Sequence, residues 1–159
     1  MTERAPRPEG GDPGVSITVR DATPADLDGL VPLLATLGYG MTPAAAADRL
    51  AALAAEDPGG RLLVAEVAGE LHGFATLHVT PVLHRATGVG RVTGIAVLPA
   101  AQGTGVGRRL MEAAEAHFRA LGLCRVEVTS GPTHLPAHDF YRRLGYADQG
   151  VRFAKPLAP

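Results

Sequence analysis

The sequence predicts one mixed α/β domain whose elements follow the order βααβββαβαβ. Three observations support this fold class: short apolar runs that alternate like strands, longer segments with apolar residues at helical spacing, and a glycine-rich loop between a strand and a helix. The glycine-rich loop indicates a strand–helix–strand crossover. A chain of 159 residues is long enough for one domain with a buried core, and it contains no internal repeat.

The N-terminal part of the chain is predicted to form a strand, two helices and a hairpin. Residues 17–20 alternate between apolar and polar side chains, as a strand does. Thr23 and Thr42 each precede a proline and mark helix starts, because threonine caps a helix and proline fits its first turn. Residues 61–67 and 71–79 are two strands separated by a tight turn, which is the pattern of a hairpin.

The C-terminal part is predicted to contain three strands and two helices. Residues 89–98 form the fourth strand, and the glycine-rich loop follows it. Residues 106–121 carry an apolar stripe at helical spacing, and residues 136–144 form a shorter helix. Strands are expected at residues 125–129 and 151–155, and these complete the predicted order.

The charge is small overall but unevenly distributed. The net charge of −1 argues against a nucleic-acid-binding protein. Residues 1–99 hold seven Arg and eleven Asp and Glu, a net charge of −4, whereas residues 100–159 have a net charge of +3. The acidic half is either an ordinary solvated surface or the side that meets a cationic substrate.

Other features bear on the location of the protein. No apolar run approaches the ~20 residues of a membrane span, so we expect no membrane association. Residues 1–14 are polar, rich in proline and glycine, and lack the apolar core of a signal peptide, which predicts a disordered tail. The single cysteine, Cys124, fits a reducing cytoplasm and is predicted to be a buried structural thiol.

The most informative motif is the glycine loop, residues 102–107, with the sequence Gln-Gly-Thr-Gly-Val-Gly. Glycines before a helix N-terminus, where N–H groups lack partners, favour binding of a phosphate or pyrophosphate. A P-loop is excluded because no lysine follows the glycines. A dinucleotide fingerprint needs a third glycine where Arg108 stands, and its fold should begin with this unit, although Glu127 could mimic the ribose-binding acid.

A third interpretation rests on two motifs. Residues 97–108 resemble the Q/R-x-x-G-x-G/A signature of the GNAT N-acetyltransferase superfamily, and residues 140–146 (Phe-Tyr-Arg-Arg-Leu-Gly-Tyr) resemble its F-Y-x-x-x-G-F/Y signature. The resemblance implies a mostly antiparallel central sheet flanked by helices, within a single domain over residues 15–159. It also implies transfer of an acetyl group from acetyl-CoA to a primary amine of a small molecule or peptide. The alternative is a non-catalytic acyl-CoA-binding module that senses or scaffolds.

The resemblance also implies roles for particular residues. Tyr141 matches the general acid that protonates the leaving thiolate. The N–H of Val97 would polarise the thioester carbonyl. His134 stands where relatives often have an asparagine that contacts the cofactor. The implied coenzyme A-binding residues are Ile95, Ala96, Val97, Gln102, Gly103, Thr104, Gly105, Val106, Gly107, Arg108 and His134. No metal site is expected, and a homodimer is an arrangement common among relatives.

The general base is not assigned by the resemblance. Many relatives carry a glutamate on the fourth strand, and the matching position here is Thr93, which is not a useful proton acceptor. A chain of water molecules could remove the proton from the amine. The other candidates are His78 and His84, because histidine titrates near neutrality, and Glu127 on the fifth strand.

Overall fold

The computed structural model describes residues 16–157, and the predicted tail therefore lies outside the described residues. One five-stranded sheet forms the centre of the fold, with its strands in sequence order. The strands are β1 (Ile17–Asp21), β2 (Arg61–Val67), β3 (Glu70–Thr80), β4 (Val89–Val97) and β5 (Val126–Val128), and the helices are α1 (Leu27–Thr36), α2 (Pro43–Glu56), α3 (Val106–Ala120) and α4 (Leu135–Arg143).

The sheet is antiparallel except at its last pair of strands. β1 to β4 form antiparallel pairs, and β5 runs parallel to β4 after the crossover through α3. The predicted mixed α/β fold class, with a mostly antiparallel sheet flanked by helices, is therefore confirmed. No helix within residues 16–157 is long and apolar enough to cross a membrane.

Two hydrophobic clusters occupy the two faces of the sheet. On one face, α3 packs its apolar stripe against the sheet, as its alternation of buried and exposed residues requires. Its centre comprises the fully buried Leu77, Val106, Leu110, Met111 and Phe118. On the opposite face, α1 covers a smaller cluster that comprises Leu30, Leu33, Val64, Phe74 and Ala96.

A β-bulge interrupts the pairing of β3 with β4. Gly94 pairs with Thr76 and Val92 pairs with Leu77, so Thr93 is an extra residue without a partner on β3. An extra residue reverses the alternation of a strand, because side chains and backbone groups change sides at every residue. The bulge therefore decides which residues in the second half of β4 direct their backbone N–H and C=O groups away from β3.

The predicted last strand, residues 151–155, is wrong. Residues 147–157 have no regular secondary structure, and Val151 and Phe153 are 80% and 91% exposed. A groove of about 1070 Å³ separates the outer edge of β5 from residues 147–152. Alternation alone predicted the strand, but a strand also needs a neighbour with which to exchange hydrogen bonds, and this segment has none among the described residues.

The prediction that Cys124 is buried is also wrong. Cys124 is a free and exposed cysteine that lies before β5. Its Sγ atom is 3.2 Å from the hydroxyl of Thr87, which belongs to the loop before β4. The neighbouring Leu123 packs against the larger hydrophobic cluster, so the segment before β5 turns Leu123 rather than Cys124 toward the core.

Candidate functional site

The sheet opens between β4 and β5, and the opening forms a cleft. The two strands pair only as far as Val92, whereas β4 continues to Val97 without β5. The N–H of Leu98 donates to the carbonyl of His72 on β3 at 2.9 Å. Because backbone groups alternate along a strand, those of Val97 and Ile95 point toward the cleft. The cleft is therefore lined on one side by main-chain groups that β5 does not reach.

The glycine loop continues from this edge of the sheet. Gly103 and Gly105 have φ values of +78° and +96°, which glycine adopts without strain. A Cβ atom at Gly103 would meet no atom within 4 Å, so the space in front of the loop is open. Within the part of the chain that the structure describes, five backbone N–H groups of the loop and the first turn of α3 have no acceptor: Gly103, Gly105, Val106, Gly107 and Arg108.

Internal hydrogen bonds hold the glycine loop in this conformation. The side-chain amide of Gln102 donates to the carbonyl of Val97 at 3.4 Å, and the hydroxyl of Thr104 donates to the carbonyl of Ala101 at 2.5 Å. Arg109 pairs with Glu112 on the next turn of α3. Arg108 is exposed and forms no ion pair with a described residue, so its charge adds to the positive end of the helix.

Helix α4 is held against the start of α3 by a close approach at Gly107. A Cβ atom at Gly107 would lie 3.2 Å from the ring of Phe140 and 3.7 Å from Val97. The glycine thus leaves room for the aromatic ring. This packing fixes Tyr141, the next residue of α4, beside the cluster beneath the cleft.

The environment of Tyr141 differs from that of its neighbour Tyr146. The two rings are 6.0 Å apart in an edge-on arrangement. The hydroxyl of Tyr146 donates to Glu115 at 3.0 Å, whereas that of Tyr141 has no partner among the described residues. Burial raises the pKa of Tyr141 above its ordinary value, because an anionic phenolate is poorly solvated there. Tyr141 therefore stays protonated and keeps a proton that it can donate.

A row of polar side chains crosses the sheet face opposite α3, next to the start of the cleft. His78, Arg91 and Glu127 are register neighbours on β3, β4 and β5. Arg91 lies 3.4 Å from Glu127, and the guanidinium of Arg125 lies 2.7 Å from the other oxygen of that carboxylate. The hydrogen bond from Arg125 and the nearby arginine charges hold the pKa of Glu127 below its ordinary value. Glu127 is consequently a poor proton acceptor.

Of the two histidine candidates, only His78 has a carboxylate partner. Its Nδ1 atom is 3.2 Å from Asp57, which also accepts the backbone N–H groups of Gly59 and Val79 at 3.1 Å each. A carboxylate on Nδ1 directs the other ring nitrogen, Nε2, outward as a proton acceptor. His84 lies exposed in the loop between β3 and β4. Among these candidates, the geometry of a general base is found at His78.

Two of the predicted site residues, Ala96 and His134, do not meet the others at the cleft. Ala96 lies beneath α1, and the alternation of β4 turns its backbone toward β3. His134 is the N-terminal cap residue of α4, where its exposed side chain makes no capping hydrogen bond. Thr93 is exposed at the bulge, and its hydroxyl is 3.5 Å from the carbonyl of Thr76.

The buried hydroxyl of Ser130, which follows β5, has no partner among the described residues.

The sequence analysis missed Asp57, Arg91 and Arg125. Asp57 lies 21 residues from His78, and Arg91 and Glu127 come from strands on either side of α3. No local motif marks such contacts. Only the register of the sheet brings these side chains together.

Comparisons with known proteins identify a family and several relatives. Residues 32–146 match the model of the acetyltransferase (GNAT) family. The chain is 34% identical over 101 residues to an aminoalkylphosphonate N-acetyltransferase from Salmonella typhimurium, with 64% of this chain and 66% of that protein covered. It is 32% identical over 149 residues to an aminoglycoside N(6')-acetyltransferase type 1 from Stenotrophomonas maltophilia, with 89% and 95% covered.

The coverage of relatives is uneven. The chain spans about two thirds of the aminoalkylphosphonate acetyltransferase but only 28% and 31% of two mycothiol acetyltransferases. Among solved structures, glucosamine-6-phosphate N-acetyltransferase from Arabidopsis thaliana superposes with a TM-score of 0.79 at 16% identity, with 90% of this chain and 99% of that chain covered. At that identity the likeness shows the fold alone.

Proposed function

Since the chain belongs to the acetyltransferase (GNAT) family, we propose that it transfers an acetyl group from acetyl-CoA to a primary amine of a small molecule or peptide in the cytoplasm. The observation that carries this proposal is that the open edge of β4 runs directly into the glycine loop. One continuous main-chain surface therefore offers donors to both ends of a long, phosphate-bearing ligand. The curated relatives named above support acetyl transfer to small amine-bearing molecules.

The residues of the loop fit the pyrophosphate of coenzyme A. Five unpartnered N–H groups and two left-handed glycines form an open cradle at a helix N-terminus. Gln102 closes the turn, Thr104 braces it, and Arg108 adds positive charge. Ile95 and Val97 would bind the pantetheine arm through their backbone groups. When bound, acetyl-CoA supplies a thioester whose carbonyl carbon is activated toward an amine.

The overall reaction makes one bond and breaks another. The amine nitrogen forms a bond to the carbonyl carbon, the carbon–sulfur bond breaks, and the products are an amide and a free thiol. The amine must lose one proton, and the leaving sulfur must gain one. The backbone N–H of Val97 would donate to the carbonyl oxygen and stabilise the negative charge that develops there.

Tyr141 is our candidate for the general acid. Its half-buried hydroxyl has no other partner in residues 16–157, and burial raises its pKa. A phenol of this kind holds its proton through the pH range in which an amine acts as a nucleophile. Tyr141 would therefore protonate the departing sulfur.

His78 is our candidate for the general base. Asp57 holds its Nδ1 side, and the ring is one register row from the start of the cleft, so we infer that a water molecule carries the proton from the amine to Nε2. Thr93 leaves room at the bulge where relatives often carry glutamate. In addition, holding the amine next to the thioester would contribute much of the acceleration of acetyl transfer.

The test is release of free thiol from acetyl-CoA with a panel of primary amines, together with calorimetric binding of coenzyme A. We expect both binding and amine-dependent thiol release, with the acetylated amine identified by mass spectrometry. Binding of coenzyme A without turnover of any amine would instead support a non-catalytic acyl-CoA-binding module.

A further inference from the structure

We propose that the acceptor amine carries an anionic group, such as a phosphonate, phosphate or carboxylate, and that Arg91 binds this group. The inference deepens the proposed acetyl transfer and rests on it. It reverses the expectation of a cationic acceptor that follows from the acidic N-terminal half. It depends on which charges the fold brings to the cleft, and not on the net charge of either half of the chain.

Three arginines surround one carboxylate on the open face of the sheet. Arg91 and Arg125 lie on either side of Glu127, and Arg85, from the loop before β4, adds to the positive field at that carboxylate. The group therefore has an excess of two positive charges. The other acid nearby, Asp57, turns its oxygens to His78 and to two backbone N–H groups, so it does not neutralise the arginines.

Arg91 is freer than Arg125 to bind a ligand. The guanidinium of Arg125 donates both to Glu127 and to Gln149, at 2.7 Å each. That of Arg91 approaches Glu127 only at 3.4 Å, forms no hydrogen bond with the described residues, and is 48% exposed. A guanidinium held only by this one long ion pair keeps donors available, and their planar arrangement matches the oxygens of a phosphonate or carboxylate.

Three acidic groups of the N-terminal half form ion pairs away from the cleft. Asp26 and Glu66 both pair with Arg20, at 2.8 and 2.9 Å, where β1 and β2 meet the start of α1. Asp21 pairs with Arg61 at the far edge of the sheet. These three carboxylates are thus paired with arginines on β1 and β2, the two strands of the sheet that lie farthest from the cleft.

The open face is also the side from which an acceptor can approach. On the α3 side, the cleft is closed by the larger core cluster, which includes Val97, Phe140 and Tyr141. On the other side, α1 is followed by Leu37, its C-cap residue, whose side chain is 3.8 Å from the position of a Cβ atom at Gly94. An amine entering there passes between the end of α1 and the arginine group.

The register sets the size of the acceptor. Arg91 precedes the bulge by two residues, a distance of about 7 Å along a strand. An anion bound by Arg91 and an amine placed at the bulge are therefore separated by a short aliphatic spacer. Small aminoalkylphosphonates and amino acids with a terminal amine have this length.

The experiment compares acceptors of similar size and different charge on the full chain with acetyl-CoA. We expect kcat/KM for 2-aminoethylphosphonate and for β-alanine to exceed that for the neutral 2-methoxyethylamine and the cationic putrescine by tenfold or more. Comparison of the first two separates phosphonate from carboxylate recognition. Arg91→Gln should lower the ratio of anionic to neutral kcat/KM by about tenfold or more, mainly through KM of the anionic acceptor.

Two further variants make the test specific. Arg49→Gln, on the exposed side of α2, removes the same charge away from the cleft and should leave the ratio unchanged. Glu127→Gln releases both flanking arginines and should raise the ratio. The inference is overturned if kcat/KM for neutral or cationic amines equals or exceeds that for anionic amines. It is also overturned if Arg91→Gln lowers kcat/KM by the same factor for every acceptor. In both cases the proposed acetyl transfer itself stands. Absence of transfer to any amine overturns the proposed function itself.

Discussion

The proposed cofactor-binding end of the cleft and the proposed acceptor face are built in different ways. The cofactor end consists of the glycine loop and the end of β4, which are contiguous in sequence and offer main-chain N–H groups. The acceptor face consists of His78, Arg91, Arg125 and Glu127, which come from three strands and the residue before one of them, and offers side chains. Main-chain donors depend on backbone conformation alone, whereas side-chain chemistry changes with each substitution. The first region is thus suited to a shared co-substrate and the second to an acceptor particular to this protein.

The largest expected effect is at the cofactor end. Gly105→Glu places a carboxylate in the anion cradle at φ +96°, and we expect affinity for acetyl-CoA to fall by roughly a hundredfold or more. Gly105→Ala is the matched control, because it adds the same backbone strain without the charge. Calorimetry measures both affinities, and circular dichroism verifies folding. Unchanged affinity in a folded Gly105→Glu protein would show that the loop does not hold the pyrophosphate.

The next effect compares two tyrosines at the boundary of the two regions. Tyr141→Phe should lower kcat by on the order of a hundredfold with little change in KM, because the lost proton acts only in the transition state. Tyr146→Phe removes a hydroxyl that donates to Glu115 and should cost about 1 kcal/mol of stability with kcat retained. Since burial raises the pKa of Tyr141, the decline of kcat from deprotonation of the acid should lie above pH 10. Equal losses of kcat in both variants would indicate a packing role.

A smaller effect is expected on the acceptor face. His78→Gln should lower kcat/KM by about tenfold, because the variant lacks the ring nitrogen that would accept the proton of the amine. Asp57→Asn should also lower kcat/KM. It should in addition destabilise the turn after α2, because the carboxylate of Asp57 accepts the N–H groups of Gly59 and Val79. His84→Gln, in the exposed loop, is the control. Unchanged kcat/KM in a folded His78→Gln protein would assign the base to another group.

The smallest effect on activity is expected away from both regions. Arg20 holds the pKa of Asp26 at about 2, below its ordinary 3.8. The ion pair thus stabilises the fold above pH 3.8, and this contribution is lost as the pH falls through about 2. Because Arg20 is partly exposed, we expect Asp26→Asn to cost only about 1–2 kcal/mol by denaturant unfolding at pH 7. Asp28→Asn is the exposed control, and kcat/KM should be unchanged in both; an equal loss of stability in the two variants contradicts the pairing.

The same contrast explains which sequence-based predictions hold. The glycine loop and the second motif identified the family, because their chemistry lies in short contiguous segments. The positions of the first five strands and the four helices were also predicted to within a few residues from local alternation and helix start signals. The strand at 151–155 and the buried Cys124 were wrong, because both depended on neighbours that the sequence does not specify. The roles of Tyr141 and the coenzyme A-binding residues stay predictions.

The sequence by itself determined the family, the order of helices and strands up to α4, and the loop that can bind an anion. These follow from local physical causes: side-chain periodicity, helix capping and the freedom of glycine at positive φ. Only the tertiary structure decided that Ile95 and Val97 face the cleft, because one extra residue at Thr93 reverses the strand. It alone decided that Arg91 and Arg125 gather near His78, whereas Asp21, Asp26 and Glu66 pair with arginines on β1 and β2. The energy of an electrostatic interaction depends on the distance between the two charges, and the pairing of strands that are far apart in sequence sets that distance here.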